Sequence, residues 1–443
     1  MAFLITTLQF LAGLSIIVGI HELGHLLCAK LFKIRVKQYM IGFPPKLVKF
    51  QWGETEYALG SIPLGGAVQI AGMVDESLED SDTWASTDPK PWEFRSKPAW
   101  QRLIVLLGGI LFNLLSAAVL YIVFAYVLGH SYLSKEEVNK YGIVPSEIGM
   151  QMGFQEGDKL IRINGKDFDD FFDFISLRLL LGAENYYTVE RSGTMLDIPI
   201  PEGIMERLTA QKRPVPFLQP AYPYKVGAVE PNSKAATAGL MAGDQLLKIE
   251  EHPVLYVHQL KKALKTYQGM KATITYLRQG ITQTTCIQLN TQKELLGLQL
   301  KTTLTPSHIR YSLPESILAG TKETLRGMQE YLLGIWKLIT GKLSVKKSLG
   351  GPISIAQAFG SEFVWWAFWK QVANFSIVIA LTNLLPLPAL DGGHALFVIY
   401  EMVSGRKPSD RFLAISQKLG MVVLLALMLY AFGNDIRKLF GSF

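Results

Sequence analysis

The chain has 443 residues, of which 49% are hydrophobic and only 18% charged, whereas a soluble globular chain carries about a quarter charged residues. With a mean hydropathy of +0.22 it does not read as a purely cytosolic enzyme. Disordered, collagen-like and disulfide-scaffold classes are also excluded, because 39 Gly and 21 Pro follow no period and the two cysteines, Cys28 and Cys286, stand far apart. The net charge of +7 comes without a basic tract interleaved with aromatics, so no nucleic-acid partner is expected.

Crossing a hydrocarbon core of about 30 Å takes about 20 helical residues. Four segments reach that length with few charges. They are 3–27, with LAGLSIIVGI as its continuous part; 103–128; a less regular stretch from about 363 to 400, interrupted by Pro386, Pro388 and a DGG; and 413–432, around GMVVLLALMLYAF. The first reads as a retained helix and not as a signal peptide, since it lacks a basic n-region and a convincing cleavage site and carries its charged residues at its C-terminal end. Lys30, Lys33, Arg35, Lys37, Lys46 and Lys49 follow it without an intervening acid, and Arg406, Lys407 and Arg411 stand between the third and fourth segments. By the positive-inside rule both connections face the cytoplasm. Both termini and residues 130–360 then lie on the other side, with Arg437 and Lys438 pulling against this orientation.

Residues 31–97 alternate as short strands with glycine turns, which predicts a small sheet at or in the cytoplasmic membrane surface, followed by an acidic loop from Asp75 to Asp88. The outer segment contains an approximate repeat. KYGIVPSEIGMQMGFQEGDKLIRING at 140–165 and KVGAVEPNSKAATAGLMAGDQLLKIE at 225–250 each read strand, small helix, Gly-Asp turn, strand. GFQEGDKLIRING and GLMAGDQLLKIE resemble PDZ domains, seen twice, a family that receives an extended peptide by strand addition; as spacers or size filters the modules would need no open groove. Helical spacing in ESILAGTKETLRGMQEYLLGIWKLITGKL predicts an amphipathic helix along the outer bilayer surface, and GGPISIAQAFG a glycine-flanked turn with a short helix.

The chemistry concentrates in HELGH at 21–25, at the cytoplasmic end of the first span. Positions i and i+4 share a helix face, so His21 and His25 can offer imidazole nitrogens to one Zn2+ while Glu22 handles protons for a water there. Three ionisable residues at the end of a membrane helix are costly unless they act. A catalytic zinc takes a third protein ligand, and Asp391 in NLLPLPALDGGH is the candidate, on a helix expected to be interrupted. Its alternative role is to cap a helix beginning at Gly392. His394 is a rival ligand, a hydrogen-bond partner of Asp391, or a packing residue, with the last two favoured together. Asn383 must hydrogen-bond if buried, either to substrate backbone and a developing oxyanion or as a tie between helices. Asn113 poses the same question, and its G-x-x-x-N spacing from Gly109 suggests close approach of the second span to a neighbour. His130, His252, His258 and His308 read as surface or module residues.

HELGH, GFPP at 42–45, SIPLGG at 61–66, Gly109 to Asn113, GGPISIA at 350–356 and NLLPLPALDGGH at 383–394 together resemble the site-2 protease family of intramembrane zinc metalloproteases, in its bacterial branch that regulates an envelope stress sigma factor. The matches run in order over nearly the whole chain. This resemblance implies His21, His25 and Asp391 as zinc ligands, Glu22 as general base and Asn383 as a substrate-binding residue. It also implies a cytoplasmic sheet, around residues 57–70, that guides an unwound transmembrane substrate to the zinc. Where the family has GFG, this chain reads Gly42, Phe43, Pro44. Implied substrates are single-pass membrane proteins already trimmed by an upstream periplasmic protease, such as an anti-sigma factor, and remnant signal peptides.

The expected fold is a polytopic α-helical membrane protein with four transmembrane helices, a membrane-associated cytoplasmic β-sheet and two tandem periplasmic PDZ-like α/β modules. Its expected divisions are the first helix (1–29), the β region (30–98), the second helix (99–129), the two modules (130–220 and 221–303) and an amphipathic helix with linker (304–361). The third segment (362–403), a cytoplasmic loop (404–411), the fourth helix (412–434) and a tail (435–443) complete the chain. The expected protein is a monomeric zinc endopeptidase of the bacterial inner membrane. A zinc-dependent transporter or sensor would explain the intramembrane histidines and acid but not Glu22 in the base position, and the intact HELGH argues against an inactive scaffold.

Overall fold

A computed structural model describes residues 2–73, 88–176, 179–180, 185–209, 216–289, 296–341, 343–345 and 350–440; most of the acidic run expected at 75–88 lies outside them. The chain forms two compact units, residues 1–129 with 310–443, and residues 130–309.

In the first unit, helix α1 (Ala2–Leu31) leads into a two-stranded hairpin, β1 (Val36–Trp52) and β2 (Thr55–Ile70), and then into α2 (Ala99–Leu128). After residue 310 come α3 (Leu313–Ile339), α4 (Pro352–Ala358), α5 (Trp365–Asn383), α6 (Asp391–Ser404) and α7 (Asp410–Phe440). Among the described residues, three helices are long and apolar enough to cross a membrane: α1, α2 and residues Arg411–Lys438 of α7. The third segment read from the sequence is two helices, because Pro386 and Pro388 remove backbone donors and bias their predecessors to extended backbone. The chain turns through Leu387 N–H to the Leu385 carbonyl (2.7 Å) and Leu390 N–H to the Leu387 carbonyl (2.8 Å) before α6 begins.

The hairpin folds back on itself. Residues 36–41 of β1 lie between the two halves of β2, so that Met40 stands opposite both Ala58 and Ala67. One face packs into a core with α1, α2 and α6 through Leu26, Val36, Ile70, Val105, Leu106 and Ala395. Beyond Tyr57, which packs on that core, Leu47, Val48, Phe50 and Trp52 are exposed, an apolar edge that suits a membrane surface better than water.

Polar ties join α2 and α5 where no hydrophobic driving force separates helix from lipid. Ser116 and Ser376 hydroxyls meet at 2.9 Å, the Ser376 hydroxyl also donates to the Asn113 carbonyl at 2.9 Å, and Tyr121 donates to Asn374. The expected amphipathic helix, α3, packs its small-residue side along α2: a Cβ on Gly320 would come within 2.4 Å of the Ile122 backbone nitrogen.

The repeat in the second unit is real at the level of side chains. In the first half, strands 143–145 and 218–220 pair, beside an antiparallel sheet of 159–163, 186–191 and 194–199; in the second half, 224–229 pairs with 298–302 beside 245–249, 271–278 and 281–288. Gly157 and Gly243 adopt φ of 88° and 93°, the left-handed turn that precedes each aspartate. Arg191 donates to both Asp158 oxygens and to the Gly153 carbonyl, every bond 2.7 Å. Arg278 does the same to Asp244 (2.8 and 2.7 Å) and the Gly239 carbonyl (2.7 Å). Separate aromatic and aliphatic cores, around Phe154, Phe174 and Tyr187 and around Tyr224, Leu246 and Ile274, fill the two halves.

Candidate metal centre

Three helices bring HELGH and LDGG together. On α1, the i and i+4 spacing stacks His21 and His25 edge to face with ring centroids 4.9 Å apart. Both rings lie over α2, which approaches backbone to backbone: a Cβ on Gly24 would stand 2.2 Å from the Gly108 carbonyl oxygen, and one on Gly109 would stand 2.5 Å from His25 Nε2. No side chain fits at either crossing position. Asp391 comes from the first turn of α6, whose N-cap is Leu390. It is therefore inside the helix and does not cap it.

One oxygen of Asp391, Oδ2, lies 3.0 Å from His21 Nε2 and 3.3 Å from His25 Nε2, and the two Nε2 atoms are 3.3 Å apart. Among the described residues this is the group of His, Cys, Asp and Glu whose ligand atoms converge closely enough to hold a metal ion. His25 Nδ1 is 2.9 Å from the Val105 carbonyl. A carbonyl can only accept, so Nδ1 carries a proton and Nε2 is the ring nitrogen that faces the cluster. Asp391 Oδ2 is buried with no hydrogen-bond donor aimed at it. Three potential ligand atoms within 3.3 Å of one another are an arrangement that a divalent cation satisfies, and two imidazoles with one carboxylate are a zinc donor set.

Glu22, half-buried, sits on the side of α1 toward the hairpin, where a Cβ on Gly66 would come within 3.0 Å of its Cγ. Its carboxylate is outside the three-atom cluster, beside it on the same helix. Asn383, the last residue of α5, places its amide nitrogen 3.3 Å from His21 Nε2, so the structure brings it to the cluster's edge. His394, one turn along α6 from Asp391, is not among the converging atoms.

Sequence reasoning left three partners unassigned. Asn113 is fully buried, with its amide 3.3 Å from His21 Nδ1 and its Oδ1 unpartnered. Amide oxygen and nitrogen are an assignment; with the two exchanged, Oδ1 accepts from His21 Nδ1–H and leaves the Nε2 lone pair for the metal. Its position four residues after Gly109 was the available signal. Arg102 on α2 donates to Glu401 on α6 at 2.6 Å with both side chains nearly buried, fixing the helix that carries Asp391. Glu401, an acid inside ALFVIYEMV, signalled it. Asp435, almost at the end of α7, accepts from the backbone N–H groups of Gly351 (3.0 Å), Ile353 (2.9 Å) and Ser354 (3.0 Å) and from the Ser354 hydroxyl, capping α4. Nothing in its local sequence announces a partner more than eighty residues away.

Residues 9–427 match the Peptidase family M50 profile. Over 98% of this chain and the whole of its own length, a Neisseria meningitidis protein described as a zinc metalloprotease is 28% identical. The Regulator of sigma E protease of Haemophilus influenzae is 28% identical over 99% of this chain and 100% of its own, and that of Salmonella typhimurium 27% over 97% and 98%. Membrane-spanning helices, the HELGH and LDGG convergence and these relatives agree on a zinc-dependent enzyme of the inner membrane. The chain belongs to peptidase family M50, and it is a zinc metalloendopeptidase of the site-2 protease type.

Proposed function

We propose that His21, His25 and Asp391 hold the zinc ion and that Glu22 is the general base for hydrolysis of a peptide bond in or near a transmembrane segment. The observation that carries this reading is the convergence of two imidazole Nε2 atoms on one buried carboxylate oxygen, 3.0 and 3.3 Å away. Bound zinc supplies Lewis-acid polarisation of the scissile carbonyl and makes a water acidic enough to lose a proton near neutrality. Glu22 accepts that proton as the water oxygen bonds to the carbonyl carbon, and returns it to the amide nitrogen as the C–N bond breaks. Asn383, beside His21, donates its amide to the substrate backbone or to the oxyanion.

A helical substrate shields its carbonyls, so it must unwind locally. The hairpin supports this step, since the Gly66 side of β2 reaches the flank of Glu22. In the proposed topology α5 and α6 together make the third of four crossings, the hairpin and HELGH lie toward the cytoplasm, and residues 130–309 and both termini are periplasmic. The two repeats act as PDZ-like modules that admit or exclude substrates by size or by an extended end. Substrates of this reading are single-pass proteins previously cut on the periplasmic side, an anti-sigma factor among them, and leftover signal peptides. The relatives named for sigma E regulation support that class.

The test is cleavage of a tagged transmembrane peptide by purified protein in detergent, wild type against Glu22→Gln, with zinc measured in both. Zinc retained and cleavage lost is the expected result. Zinc retained with cleavage unchanged removes Glu22 as the base.

A further inference from the structure

Where α1 ends, an open cleft of about 550 Å³ lies between the helix terminus and the hairpin, away from the metal centre, lined by Lys30, Lys33, Arg35, Trp52, Tyr57 and Trp92. Its cations are held in place. Lys30 donates to the Tyr57 hydroxyl at 3.0 Å and sits over the Tyr57 ring, while the Arg35 guanidinium lies 5.2 Å from the centre of the Trp92 ring. The backbone under them is fixed too, because Arg35 N–H donates to the Trp92 carbonyl (3.0 Å) and Ala71 N–H to the Arg35 carbonyl (2.9 Å).

Among the described residues the cations of the cleft outnumber its carboxylates. Glu54 takes two bonds from Arg35, at 3.0 and 2.8 Å, but among the described residues neither Lys30 nor Lys33 has a carboxylate partner. Lys33 also occupies a left-handed backbone position, φ 57°, closing α1 where glycine or asparagine is usual. The negative end of the helix dipole accounts for a lysine near this terminus. It does not account for a tryptophan and tyrosine wall around two ammonium groups that, among the described residues, have no carboxylate partner.

In the proposed topology, the cytoplasmic end of α1 puts this cleft at the level of the bilayer surface. Leu27 and Leu31, one turn apart on α1, are exposed, as a lipid-facing turn would be, and the exposed Trp100 at the start of α2 and the 73% exposed Trp52 are of the type enriched at that interface. We propose that this cleft binds the phosphodiester headgroup of an anionic phospholipid, with an acyl chain lying along Leu27 and Leu31. Lys30 and Lys33 contact the phosphate, the remaining Arg35 donors and the Tyr57 hydroxyl complete its hydrogen bonds, and Trp52 and Trp92 wall the glycerol region.

Native mass spectrometry of protein released from nanodiscs of phosphatidylethanolamine and phosphatidylglycerol at 3:1 tests this. Wild type should retain phosphatidylglycerol in preference, and Lys30→Gln with Lys33→Gln should reduce that preference about fivefold per charge removed. Arg406→Gln with Lys407→Gln, an equal loss of charge outside the cleft, should leave it intact. The single variant Lys33→Gln, at an exposed side chain, gives one such step if the double variant does not fold. Retention unchanged in the Lys30 and Lys33 variants, or lost equally in the Arg406 and Lys407 pair, overturns the site. Displacement of the lipid by glycerol 3-phosphate at millimolar concentration overturns the lipid as its occupant in favour of a soluble phosphate.

Discussion

Asp391 in the membrane unit and Asp244 in the repeat unit are both sequestered carboxylates, and they are treated in opposite ways. Asp244 receives two bonds from Arg278 and one from the Met241 N–H at 2.8 Å, and its counterpart Asp158 receives the same set from Arg191 and the Gln155 N–H. Each lone pair that matters has a proton. Asp391 has Oδ2 turned toward two imidazole nitrogens that are themselves candidate metal ligands, and no arginine or backbone N–H reaches it. The architectural carboxylates are saturated by donors, whereas Asp391 faces the two histidines with which it could hold a metal ion.

That contrast can be broken at either end. The largest effect is expected at Glu22, where Glu22→Gln should lower the cleavage rate by about a hundredfold to ten-thousandfold with zinc content unchanged. Next, Asn113→Ala should weaken zinc binding by about ten- to a hundredfold, measured by chelator competition, since His21 loses the group that orients it; Asn113→Asp should restore much of it. Asp435→Ala, which strips three backbone N–H groups of their acceptor, should destabilise the membrane unit by about 1–3 kcal/mol in thermal unfolding without changing zinc content.

The smallest effect belongs to the repeat unit and carries a pH signature. Burial alone would raise the Asp244 carboxyl, but the Arg278 bonds and the Met241 N–H outweigh it and hold the group below its ordinary value. A depressed folded-state value means that the stabilisation is complete above the ordinary carboxylate range and is lost as pH falls through the depressed one. The Tm difference between wild type and Asp244→Asn should therefore be widest at neutral pH and shrink on acidification below about pH 4.

The legible parts of this chain were those where chemistry sits in a short window. HELGH gave two ligand candidates and a base by helical spacing, the DGG after two prolines gave a broken helix with an acid at the break, and paired Gly-Asp turns gave the repeat. Less legible were contacts whose meaning depends on a distant partner. Glu401 stands out as an acid inside ALFVIYEMV, but its partner Arg102 is some three hundred residues away, and Asp435 reads as one charge in a tail until Gly351 and Ser354 fold onto it. Asn113 was visible as a small-residue spacing, but only the crossing of α1 and α2 at Gly24 and Gly108 turns it toward His21. The third apolar segment shows the same limit, since its proline break was readable while the separation into α5 and α6 around the cluster was not.

The most direct measurement replaces zinc with cobalt and records the visible absorption of the purified protein, wild type against Asp391→Asn and Asp244→Asn. If Asp391 is a ligand and Asp244 a structural carboxylate, the ligand-field bands of the cobalt protein weaken or vanish in Asp391→Asn and are unchanged in Asp244→Asn. Bands of wild-type position and intensity in Asp391→Asn would contradict the account.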